Sequence, residues 1–123
     1  MRIVKSVNFD AAHFLTLETD ERPYARMHGH SFRLDVEITG EPADDTGWVV
    51  DFADVDDALQ KLREELDHRL LNEVAGLELP TLENICRWVA RKLQPDFPGL
   101  ARVSVSRPSN GEACHFDLTD SLR

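Results

Sequence analysis

The sequence predicts an α+β domain with elements in the order β, β, α, α, β, β. Apolar and polar side chains alternate near both ends of the chain, two apolar stripes recur at helical spacing in its middle, and turn-forming residues separate the segments. In the first segment Ile3, Val7, Phe9, Ala11 and His13 share one parity, interrupted only by Lys5, which predicts a half-buried strand over 2–13. The stretch from Thr16 to Arg26 is polar, contains Pro23 and reads as irregular. Alternation resumes with His28, His30, Phe32, Leu34, Val36 and Ile38 on one side and Ser31, Arg33, Asp35 and Glu37 on the other, predicting a second strand over 29–39. "GEPADDTG" is a turn by composition, and "WVVDF" reads as a short extended run leading into a helix. Asp54 is the expected N-cap of that helix, over 54–66, with Val55, Leu59, Leu62, Leu66 and Leu70 as its apolar stripe. "PTLEN" signals a second start: Thr81 can cap a helix over 82–94 whose buried face is Leu82, Ile85, Val89 and Leu93. Pro95 and Pro98 stop it, and "ARVSVSR" and "ACHFDL" follow as strands three and four. Both helices are expected on one face of a four-stranded antiparallel sheet, with no internal repeat and no low-complexity segment.

At 123 residues the chain reads as one domain, 1–123, large enough to bury its own core. Lys and Arg number 14 against 23 Asp and Glu, a net charge of -9, which opposes binding to a nucleic-acid backbone or an anionic membrane surface. No stretch approaches the ~20 apolar residues of a membrane span, and "MRIVKSVNFDAAHF" lacks the apolar core of a secretory signal, so a cytoplasmic location is expected. In a reducing compartment Cys86 and Cys114 are expected as two buried thiols rather than a disulfide.

Side chains two apart on a strand point the same way, so His28 and His30 can converge on one point, with Gly29 leaving the face between them uncrowded. His13 joins them if the first two strands pair antiparallel. Three neutral imidazoles at ~2.0 to 2.1 Å with an open fourth position make a catalytic zinc site, in contrast to the closed four-ligand structural kind. The plain alternative is a chance His-Gly-His beside a satisfied core histidine.

"FDAAHFL", "MHGHSFRLDVEITG", "TGWVVDF", "LDHRLLN" and "PTLEN", in that order from Phe9 to Leu93, resemble the 6-pyruvoyltetrahydropterin synthase and 6-carboxytetrahydropterin synthase family. The resemblance implies the tunnelling fold, in which the sheets of several subunits of a homo-oligomer join into a barrel with helices outside and active sites at subunit interfaces. It implies zinc on His13, His28 and His30, and a lyase acting on a small molecule, a dihydropterin triphosphate. By the same resemblance Asp67 orients His68, which serves as general acid or base. Otherwise the pair merely finishes the first helix, where a histidine suits the macrodipole. Thr81 and Glu83 match family positions close to the pterin, though Thr81 is also a cap and Glu83 a first-turn acid.

Two positions depart from the family. Where it carries a proton-abstracting cysteine, four residues before the first histidine of His-x-His, this chain has Tyr24, and a phenol near pKa ~10 is a weaker base than a thiol near ~8.5. Where the family has a glutamate that accepts hydrogen bonds from the pterin's amide and amino groups, Arg107 stands, a donor only. The loop after it is one residue longer than usual, and Glu112 can substitute as the acceptor. The reading at this level is a zinc-dependent lyase acting on a dihydropterin or related heterocycle with altered catalysis or specificity. Its alternatives are a protein that binds a pterin-like or purine-like ligand without chemistry, and a zinc hydrolase.

Overall fold

The computed structural model describes residues 1–16 and 21–118. Its strands are β1 (Arg2–His13), β2 (His28–Thr39), β3 (Leu100–Arg107) and β4 (Glu112–Asp117); α1 (Phe52–Leu66) and α2 (Leu82–Leu93) lie between the two pairs. Single 3-10 turns form at Pro23–Ala25, Leu71–Glu73 and Pro108–Asn110. Part of the irregular stretch, residues 17–20, lies outside the described residues. The sheet runs β1-β2-β3-β4 with every neighbour antiparallel. No helix among the described residues is long and apolar enough to cross a membrane.

Alternation decides which face of the sheet is covered. Phe9, Phe32, Leu34, Val36, Val103 and Val105 form one buried cluster with Leu59, Leu62 and Leu66 of α1 and Ile85, Val89 and Leu93 of α2. Lys5, the exception in the parity of β1, escapes burial of its charge by reaching α1, where its amine lies 3.6 Å from Asp56.

Several local expectations are corrected. The N-cap of α1 is Asp51, whose carboxylate accepts the Ala53 N–H at 2.8 Å, and Asp54 is a first-turn acid. "WVVDF" leads into α1 without pairing in the sheet, with Phe52 already helical, and Phe52 and Trp48 are about half exposed. Leu70 is not helical. The chain leaves α1 after Leu66 and lies along the edge of β1, where Ala12 bridges Leu70 and donates its N–H to the Arg69 carbonyl at 2.9 Å. Strand β2 starts one residue early, at His28, and α2 ends one early, at Leu93, while β3 and β4 each begin one residue sooner. Thr81 caps α2 as expected, accepting the Asn84 N–H at 3.1 Å. Cys86 is buried and Cys114 half-buried, both as free thiols, and burial pushes the Cys86 thiol up.

Candidate metal centre and active site

The β1–β2 register sets His13 directly opposite His28 and Ala11 opposite His30, so the three histidines share the covered face at one end of the sheet. Ring centroids are 4.6 Å apart for His13 and His28, 5.0 Å for His13 and His30, and 4.7 Å for His28 and His30. One ligand nitrogen from each can be chosen so that all lie within 4.8 Å of one another. Phe32 floors the group, its centroid 5.7 Å from that of His13 and 5.6 Å from that of His30. Gly29 faces the other way, and a Cβ there would sit 3.7 Å from the Ala11 carbonyl oxygen, an ordinary contact. The histidines therefore do not require a glycine between them.

Two backbone carbonyls select the tautomers. His13 Nδ1 lies 3.0 Å from the Pro80 oxygen and His28 Nδ1 lies 2.6 Å from the Arg26 oxygen. A carbonyl only accepts, so each Nδ1 carries the proton and each Nε2 keeps its lone pair. The Nε2 atoms of His13 and His30 are buried without a hydrogen-bond partner. Buried, unpartnered imidazole nitrogens that converge, with a carbonyl fixing the far nitrogen of two of them, are the donor set and outer support that zinc uses. The residues fit that ion.

Burial, with the charges of His28, His30 and Arg107, lowers the His13 pKa to about 4 despite its bond to Pro80. Burial and Arg107 lower that of His30 as well. The sign for stability follows from His13 being harder to protonate folded than unfolded. Between pH ~6.5 and ~4 the unfolded chain binds the extra proton, so stability is intact above that window and falls as pH drops through it, by on the order of 3 kcal/mol for this group. Urea unfolding of the metal-free protein is expected to show a lower midpoint at pH 4.5 than at pH 7; equal midpoints would mean that His13 is not buried as a neutral imidazole.

A cleft of about 480 Å³ opens over His28 and His30, and Tyr24, Arg107, Asn110 and Glu112 supply its other polar walls. Tyr24 is placed by its own carbonyl, which accepts the Leu15 N–H at 2.8 Å, and by Arg22, whose guanidinium lies 4.7 Å from the ring centroid. Arg107 and Glu112 are cross-strand partners in the β3–β4 hairpin, which turns through Gly111 in the left-handed region. Arg107 is 14% exposed, its Nε 3.2 Å from a Glu112 oxygen yet without a hydrogen-bonding angle to it. A carboxylate thus stands beside the guanidinium.

Asp67 and His68 sit elsewhere. They follow α1 at the edge of β1, where His68 lines a cavity of about 600 Å³ with Asp10, Ala12, His30, Ser31 and Arg69. His68 does not line the cleft that holds Tyr24 and Arg107. The pair itself is ordered as expected, with His68 Nδ1 2.7 Å from Asp67 Oδ2. The Asp10 N–H and then His68 hold the Asp67 carboxyl below the usual carboxylate range. Thr81 and Glu83 line neither space; Thr81 caps α2 next to Pro80, and Glu83 is exposed in the first turn. Sequence reading missed the carbonyls of Arg26 and Pro80, which carry no residue-type signature, and Asn110.

A covered antiparallel sheet with three converging histidines at one end of its first two strands describes an α+β protein with a candidate metal centre. A family model for 6-pyruvoyl tetrahydropterin synthase matches residues 2–117, and the chain belongs to that family. It is 37% identical over 117 residues to the dihydroneopterin monophosphate aldolase of Pyrococcus furiosus, covering 95% of this chain and 94% of that protein. It is 38% identical over 120 residues to the 6-carboxy-5,6,7,8-tetrahydropterin synthase of Synechocystis, covering 93% and 92%. Among solved structures, Caenorhabditis elegans 6-pyruvoyl tetrahydropterin synthase superposes with a TM-score of 0.84 at 22% identity, covering 95% of this chain and 94% of that one. The E37A catalytic-residue mutant of Plasmodium vivax 6-pyruvoyltetrahydropterin synthase gives 0.71 at 18% identity, covering 95% and 98%. These likenesses show the tunnelling fold that the motifs implied.

Proposed function

We propose that the protein is a zinc-dependent lyase that cleaves the side chain of a phosphorylated 7,8-dihydropterin by a retro-aldol reaction, working as a homo-oligomer. The observation that carries the reading is the convergence of three imidazoles, two with tautomers set by backbone carbonyls, at a cleft that His28 and His30 line and whose walls contain a phenol and no thiol. Zinc bound by His13, His28 and His30 would supply Lewis acidity toward the hydroxyl oxygens of the side chain.

The missing cysteine favours carbon–carbon cleavage over elimination. Elimination of triphosphate asks a base for a carbon-bound proton. Retro-aldol cleavage asks only for a hydroxyl proton, which a weaker base can take. That proton leaves the second side-chain carbon's hydroxyl, the bond between the two hydroxyl-bearing carbons breaks, and its electrons pass into the ring C=N bond. Protonation of the resulting enamine gives a hydroxymethyl dihydropterin, and the departing fragment is a two-carbon aldehyde phosphate. The Pyrococcus relative is named for aldolase activity on such a compound.

Tyr24, in the wall of the cleft, is the donor that protonates the enamine carbon. His68, held by Asp67 through Nδ1, presents Nε2 outward with its side chain 78% exposed, and is the base that takes the hydroxyl proton. Because it lies outside the cleft of its own chain, a second copy must bring it to the zinc, and any contact of Thr81 or Glu83 with the ring needs the same copy. Arg107 donates to the ring carbonyl, and Glu112 beside it accepts from the ring N–H and amino groups.

Mass spectrometry of products from dihydroneopterin monophosphate and triphosphate tests this. The expected products from the monophosphate are 6-hydroxymethyl-7,8-dihydropterin and glycolaldehyde phosphate. A pyruvoyl or carboxy product from the triphosphate would replace the aldolase reading with the family's synthase chemistry. Tight binding of both compounds by zinc-loaded protein without conversion would establish a binding protein instead.

A further inference from the structure

The last turn of α1 and the segment after it are fastened along the edge of β1 by a row of hydrogen bonds. Arg63 Nε donates to the Asn8 carbonyl at 2.9 Å, the Asp10 N–H donates to Asp67 Oδ1 at 2.9 Å, and the His68 N–H donates to the Asp10 carbonyl at 2.6 Å. The Ala12 N–H completes the row on the Arg69 carbonyl at 2.9 Å. Bending the chain onto that edge puts His68 at φ 57, in the left-handed region that residues other than glycine adopt uncommonly. Arg63 Nη2 also lies 3.2 Å from Asp67 Oδ2, the same oxygen that His68 Nδ1 approaches at 2.7 Å.

From this shared oxygen we propose that Arg63 is a positioning residue for the proton-carrying pair, aligning Asp67 against His68 while sharing the carboxylate's charge with it. The inference rests on the reading that His68 carries a proton in the reaction. A carboxylate bonded to histidine alone raises the proton affinity of the imidazole, whereas a permanent cation on the same oxygen opposes that rise. Within its own chain His68 shares its cavity with Asp10 on β1, its neighbour Arg69, and His30. Arg63 and His68 both meet Asp67 Oδ2, so the guanidinium divides the charge of that oxygen with the imidazole. Its second bond, to Asn8, holds the guanidinium in place from a different element, so its position does not depend on the carboxylate alone.

Steady-state kinetics of zinc-loaded wild type, Arg63→Gln and Arg63→Lys, read beside their melting temperatures, test the proposal. Arg63→Gln is expected to lower kcat by roughly tenfold with KM changed by less than about twofold, since the pair acts in the chemical step and not in binding. Arg63→Lys, which keeps the charge but loses the fork to Asn8, is expected to restore kcat to within about threefold of wild type while melting at a lower temperature. A loss of melting temperature in both variants with kcat unchanged would make Arg63 a structural brace and overturn the proposal. Full turnover in His68→Asn would overturn the proton-carrier reading and the role of Arg63 with it. An inactive His68→Asn beside an undiminished kcat in Arg63→Gln overturns the role of Arg63 alone.

Discussion

Replacing His30 with alanine is expected to strip zinc from the protein and lower turnover on the order of a thousandfold or more, the several kcal/mol that a Lewis acid contributes to a developing oxyanion. His30 is a better probe than His13. The His13 ring is fully buried and bonded to the Pro80 carbonyl, so its removal would leave a cavity and an unpaired carbonyl beside the core. His30 is only partly buried, and its Nε2 has no hydrogen bond to lose. Its alanine variant should therefore keep the sheet, as far-ultraviolet circular dichroism can verify. Metal content by elemental analysis is the deciding readout. One zinc per chain with undiminished turnover in His30→Ala would remove His30 from the ligand set and with it the metal-centre assignment.

Substituting His68 by asparagine is expected to lower turnover by roughly 10²- to 10⁴-fold, the usual contribution of a positioned acid or base, while zinc content stays at the wild-type level. Asparagine is the substitution to use because it tolerates the left-handed backbone at this position better than other side chains do. A variant that strained the turn would confuse a folding defect with a chemical one. The separation of His68 from the cleft yields a sharper expectation. If the triad of one copy works with His68 of another, mixing inactive His30→Ala with inactive His68→Asn subunits should rebuild intact sites, about a quarter of the total at equal mixing. Recovery of activity on co-refolding would be the result expected of a shared site. Activity no higher than in either parent would mean that the two histidines do not meet across an interface.

Both expectations trace to features that differ in how plainly the sequence announces them. The shared parity of His13, His28 and His30 was legible because a strand repeats every two residues, and one antiparallel register then brings the three rings together. Helix positions were legible in their apolar stripes, but the cap of α1 was not, since Asp51 and Asp54 both suit the site and only the backbone course selects Asp51. "LDHRLLN" suggested a proton-carrying pair by resemblance, yet gave no sign that the pair would lie at the edge of β1, away from the cleft with Tyr24. Arg107 looked like a loss of the family's acceptor. The β3–β4 hairpin returns a carboxylate beside it, because Arg107 and Glu112 are partners in the ladder.

The sequence by itself determined the element order, the face of the sheet that is buried, and the residue types able to bind a metal, because these follow from periodicities of two and near four and from side-chain chemistry. Only the tertiary structure decided which nitrogens of those histidines are free, which group braces Asp67, and which charges stand beside one another at the cleft. Those depend on backbone carbonyls and on strand register, contacts between residues far apart in the chain that no local pattern encodes.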